Sequence, residues 1–100
     1  MTRIRKLENH PYAQCNVFET VITDPDLGHI IMRRWVLRSY QTDVVLVRET
    51  DTEWQLTCYG TYSQTTRRQI GWFLRDIGSP FTYYSAKRSF ENATDIVIVK

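Results

Sequence analysis

The chain has 100 residues, with 13 Lys and Arg against 11 Asp and Glu and a formal net charge of +2. That length suits one domain, and 42% hydrophobic with 13% aromatic residues is too apolar for a chain that stays disordered. A charge so close to zero excludes an acidic nucleic-acid mimic and a histone-like binder held by bulk charge. No apolar run approaches the roughly 20 residues that span a bilayer, and residues 1–11 lack the hydrophobic stretch of a signal peptide, so a soluble, intracellular protein is expected. Cys15 and Cys58 stand alone, without Cys-x-x-Cys spacing or a His at ligand spacing. They read as two reduced structural thiols, with a disulfide left open, and no metal or cofactor is expected.

Val17 to Thr23 is rich in β-branched and aromatic residues and predicts a strand. The run Asp24-Pro25-Asp26-Leu27-Gly28 ends it with turn chemistry: Pro25 presets φ, Asp24 can bond the following backbone, and Gly28 can take positive φ. The return strand is His29 to Ser39. On it Trp35 and Leu37 share one face while Arg34, Val36 and Arg38 share the other, which predicts one buried face and one wet, basic face. Gln41-Thr42-Asp43 interrupts the pattern before Val44 to Arg48, and Glu49 to Glu53 interrupts it again before Trp54 to Tyr59. In that last strand Trp54, Leu56 and Cys58 alternate with Gln55, Thr57 and Tyr59. Sequential strands joined by short loops predict an antiparallel meander, because parallel pairing needs long crossovers.

The period then changes from 2 to 3.6. Ser63 is a candidate N-cap, Ile70, Phe73, Leu74 and Ile77 follow helical spacing, and Gly78 with Pro80 forms a stop, so a helix over 63–77 is predicted. Its apolar stripe, extended by Thr66, is expected to lie across the sheet. Phe81 to Tyr84 follows, then a polar Ser85 to Thr94 stretch with room for a helical turn, then Ile96 to Val99, which reads as a buried terminal strand. The predicted fold is α+β: one domain over 1–100, an antiparallel sheet of about four to six strands, and one main helix packed on one face.

Two groups of side chains are candidates for function. On the helix, Thr65, Arg68, Trp72 and Arg75 fall opposite Ile70, placing a tryptophan between two arginines on the side predicted to face solvent. Trp and Arg are enriched at interface hot spots, which makes this a candidate partner-binding face; the alternative is that Trp72 packs under the N-terminal segment or the Ser85 to Thr94 stretch. Like charges also come in blocks along the chain, and ten of the thirteen basic residues are Arg, the cation suited to bidentate contact with carboxylate or phosphate. Arg67 and Arg68 at the helix start, with Arg33, Arg34 and Arg38 on the long strand, could serve an acidic protein surface or nucleic-acid phosphates. Catalytic signatures are weak: His10 and His29 are far apart in sequence, there is no Gly-rich phosphate loop, and the Asp24 and Asp26 pair is explained by its turn.

Leu37-Arg38-Ser39-Tyr40-Gln41-Thr42-Asp43-Val44-Val45, then Tyr62-Ser63-Gln64-Thr65-Thr66-Arg67-Arg68, then Phe73-Leu74, resembles an uncharacterised family of small proteins encoded by phages and mobile elements of Gram-positive bacteria. Those proteins carry a Ser-Tyr-x-Thr turn and a Tyr-Ser-x-Thr-Thr helix start. The chain departs from them at Gln69, where they have a histidine. In physical terms the hydroxyls of Ser63, Thr65 and Thr66 suit the unpaired N–H groups of a helix start, and Tyr62 suits a staple. The resemblance implies a phage or mobile-element origin and carries no biochemical activity over; size and that origin suggest a small non-enzymatic phage accessory protein acting in the cytoplasm of a host cell. It would bind and modulate a host protein, for instance as an anti-CRISPR-like inhibitor of a defence nuclease, using Arg68, Trp72, Arg75, Thr65, Arg67, Arg34 and Arg38. A DNA- or RNA-binding regulator is the alternative, and a homodimer is compatible with either.

Overall fold

The computed structural model describes residues 2–5, 15–60 and 64–100. Six strands and two helices follow in the order β1 (Thr2–Arg5), β2 (Cys15–Thr23), β3 (Ile30–Ser39), β4 (Thr42–Glu49), β5 (Glu53–Cys58), α1 (Gln64–Asp76), α2 (Tyr83–Asn92) and β6 (Ile96–Val99). The strands form one antiparallel sheet in chain order, so the α+β meander is as expected. The connection from β5 to β6 runs through both helices, and β6 returns antiparallel beside β5.

Short-range chemistry makes each hairpin. Between β2 and β3, Asp24 Oδ1 accepts the N–H groups of Asp26 and Leu27 at 2.8 and 3.0 Å, and Gly28 closes the turn at φ 76°. Those two bonds hold the Asp24 carboxyl below its ordinary pKa. The β3–β4 turn places Tyr40 at φ 57°, a left-handed conformation costly for a residue with a Cβ. In the β4–β5 turn the Thr50 hydroxyl accepts the N–H groups of Thr52 and Glu53 at 3.3 Å each.

The core lies between the sheet and the helices. Val17, Leu37, Val45, Val47 and Leu56 from the sheet are fully buried with Ile70, Phe73 and Leu74 of α1. Helix α1 lies against β3, and α2 against β5 and β6. Gly78 at φ 73° ends α1, with the N–H of Ser79 bonded to the Leu74 carbonyl at 3.1 Å. The helix is close to the predicted span, but its proposed cap Ser63 and staple Tyr62 lie outside the described residues.

Two expectations are corrected, and one strand that the sequence reading did not name is added. Residues 83–92 form a full helix instead of a single turn. Its buried residues are Ala86 and Ser89, too small and polar to write an apolar stripe into the sequence. The Ser89 hydroxyl accepts the Cys58 N–H at 3.1 Å, so this helix satisfies a backbone donor at the end of β5. Second, β6 is not buried. It lies at the sheet edge, with Val97 48%, Ile98 38% and Val99 77% exposed; an unbroken apolar run says nothing about edge position. The added strand, Thr2–Arg5, pairs with β2 as a further edge strand, although its charged sequence gave no strand signal.

Candidate functional site

Register decides where each arginine goes. Glu19, Trp35 and Val47 are cross-strand neighbours, as are Val17, Leu37 and Val45, and these rows face the helices. On that side Trp35 stacks on Trp54 with ring centroids 6.0 Å apart and donates from Nε1 to Glu19 Oε2 at 2.8 Å. The alternate rows point the other way, where none of the described helices lies. One row reads Thr20, Arg34, Arg48, Gln55, and the next reads Phe18, Val36, Leu46, Thr57. The predicted wet, basic face of β3 is therefore present, and it continues over four strands.

Its charges are organised. Arg38 places its guanidinium 4.5 Å from the centre of the Phe18 ring and donates from Nε to Asp43 at 2.8 Å. Arg48 Nη1 reaches Gln55 Oε1 at 3.4 Å, Gln55 Nε2 donates to Asp95 at 2.6 Å, and the Thr57 hydroxyl donates to the other Asp95 oxygen at 2.7 Å. Arg34 stands directly opposite Arg48 and, among the described residues, forms no ion pair. Two like charges facing each other across a ladder cost stability, and an incoming anion would relieve that cost.

The helix candidates lie on the other side of the molecule. Arg67, Arg68 and Arg75 are exposed, while Trp72 is half-buried and packs against the core cluster. Its expected place on the solvent side is thus only half realised. The cause is Gln69, which is fully buried although polar, so the buried arc of α1 extends further toward Trp72 than the apolar residues alone indicate. At about 100° per residue, Arg67 points well away from Arg68 and Arg75. The Thr65 side chain lies outside the described residues. The structure brings Arg68, Trp72 and Arg75 together, and Arg34 with Arg38, but places the two groups on opposite sides of the sheet.

Gln69 has a second consequence. Its Oε1 accepts the Ser39 hydroxyl at 2.6 Å, and its Nε2 is buried without a partner. Ser39 and Gln69, far apart in sequence, therefore meet in the core. Arg48, Phe18 and Asp95 escaped the sequence reading, because each gains meaning only from the strand beside it.

Cys15 and Cys58 are buried and not joined in a disulfide, and burial pushes both thiols up, which keeps them protonated at neutral pH. His29 is exposed and His10 lies outside the described residues. Among the described residues no group of three His, Cys, Asp or Glu could hold a metal ion, and no helix is long and apolar enough to cross a membrane. An open cleft of about 330 Å³ at the far end of the sheet is lined by Ile30, Arg33, Glu49, Asp51 and Lys100, where the Lys100 amine donates to Glu49 Oε2 at 2.9 Å. Comparison with protein families, curated proteins and solved structures finds no match.

Proposed function

We propose that this chain is a non-enzymatic binding protein that offers the helix-free face of its sheet to an acidic surface of a partner protein. The observation that carries this reading is the Arg34 and Arg48 pair: the two arginines stand opposite each other in the strand register, next to the row of Phe18 and Val36, with Arg38 held over the Phe18 ring. Arg flanked by apolar surface suits desolvated contact with carboxylates. A protein is favoured over a nucleic acid because, in the row of Thr20, Arg34, Arg48 and Gln55 and the row of Phe18, Val36, Leu46 and Thr57, Phe18 is the one aromatic and Arg38 already covers it, with Tyr59 beyond them at the end of β5. Base stacking needs open rings. The resemblance in residues 37–74 supplies the setting, a phage accessory protein whose partner is a host protein such as a defence nuclease of the CRISPR type. Arg68, Trp72 and Arg75 would then form a second, separate contact.

The test is inhibition of DNA cleavage by a purified CRISPR effector nuclease, run beside fluorescence anisotropy with labelled DNA and RNA across a salt series. The expected result is dose-dependent inhibition, lost at least about tenfold in Arg34→Glu/Arg48→Glu with circular dichroism unchanged, since truncating interface hot spots typically costs 2 kcal/mol or more. Absence of inhibition together with nucleic-acid affinity falling steeply with log salt would replace this reading with phosphate binding.

A further inference from the structure

The exposed edge of β6 stands apart from the arginine face, and its partner can be read from its own chemistry. Lys100 donates its backbone N–H to the Thr52 carbonyl at 2.9 Å, so by strand alternation Ile98 and Ile96 bond inward to β5. The N–H and C=O groups of Val97 and Val99 therefore point outward, away from the sheet. Native sheets usually guard such an edge with charge, proline or a bulge. Here the four edge residues are Ile-Val-Ile-Val, and the flanking charges are turned inward: Asp95 accepts from Gln55 and Thr57, and Lys100 reaches Glu49 Oε2 at 2.9 Å. The opposite edge of the sheet has the sequence Thr-Arg-Ile-Arg, so pairing β1 with a second copy brings like charges together.

We infer that β6 pairs with β6 of a second copy, antiparallel about a two-fold axis at Ile98. In this register Val97 lies opposite Val99 of the partner subunit and Val99 opposite Val97 of the partner subunit, and each such pair exchanges both of its backbone hydrogen bonds. Side chains keep their faces: the valines join on the arginine side and the isoleucines on the helix side. The contact is isologous, so it closes at a dimer and leaves no open edge of the same kind. It also joins the two arginine faces into one continuous surface. Four residues per copy is a small contact, so a weak, concentration-dependent dimer is expected.

Light scattering coupled to size exclusion, from about 10 μM to about 1 mM protein, reads this directly, since the weakest specific contacts have dissociation constants near 1 mM. The mass is expected to rise from the monomer value of 11.9 kDa toward twice that. Val97→Pro removes an outward N–H without touching the β5 ladder, and Val99→Lys puts a charge on a side chain that is 77% exposed; both should remain monomeric with unchanged circular dichroism. A wild-type monomer throughout the range overturns the inference, even if β6 then captures a foreign extended peptide. So does a dimer that persists in Val99→Lys. Neither result bears on the Arg34 and Arg48 face, which is tested by nuclease inhibition below the dimerisation range.

Discussion

The two faces of the sheet use the same strands for opposite ends. On the helix side Val17, Leu37, Val45, Val47 and Leu56 are buried against Ile70, Phe73 and Leu74, while one residue along each strand Arg34, Arg38 and Arg48 stand on a side where no described helix lies. The covered face holds its charges to a minimum and pairs Trp35 with Glu19; the bare face sets two arginines side by side. The difference teaches that stability and the recognition proposed for the arginines are separated by a single step of the strand period. A change on the first face should unfold the protein, and a change on the second should leave it folded.

The largest effect belongs to the covered face. Leu37→Ala or Phe73→Ala is expected to cost about 3–5 kcal/mol, read as a lower denaturant midpoint at constant slope, because both side chains are fully buried and the cavity left behind cannot collapse. A loss below about 1 kcal/mol would mean that the helix layer is not the core. Next comes the buried Ser39 and Gln69 contact. Ser39→Ala should cost about 1–3 kcal/mol by leaving a second amide atom of Gln69 unpaired, and Ser39→Ala with Gln69→Leu should be more stable than Ser39→Ala alone. If the double variant is the weaker of the two, the amide has a partner that the cycle would expose.

Smaller effects sharpen the comparison from the other side. Gly71→Ala should stabilise by about 0.5–1 kcal/mol, since a Cβ there would meet nothing closer than Tyr83 Cβ at 3.9 Å and glycine weakens a helix interior. On the bare face Arg34→Thr is expected to raise stability by about 0.2–1 kcal/mol through removal of the like charge opposite Arg48. That gain should shrink as salt is added, because exposed charges are screened. A thermal melt at low and high ionic strength checks it, and a loss of stability would show that Arg34 packs as part of the sheet.

Much of this was legible along the chain. The Asp24 to Gly28 turn, the alternation of Trp35 and Leu37 with Arg34 and Arg38, and the helical spacing from Ile70 to Ile77 are local signals whose physics needs no neighbour. The second helix was not legible, because its buried positions are Ala86 and Ser89 and carry no apolar period. The exposure of β6 was hidden for the opposite reason. Four apolar residues look the same in a central strand and at an edge. Trp72 fell between the two, since a fully buried glutamine moved the buried arc of its helix.

The sequence alone determined the hairpins, the alternation on β3 and the main helix, all written over a few residues. The pairing of Arg34 with Arg48 was decided only in three dimensions. The β3–β4 hairpin begins with Ser39 opposite Thr42 and Arg38 opposite Asp43, but beyond an irregularity at Val44 the register is Leu37 opposite Val45 and Arg34 opposite Arg48. A ladder continued without that extra residue would set Arg34 against Val47. Because side chains alternate, it would also turn Val45 and Val47 away from the core. With the bulge, Val45 and Val47 face the helices and the two arginines come opposite each other.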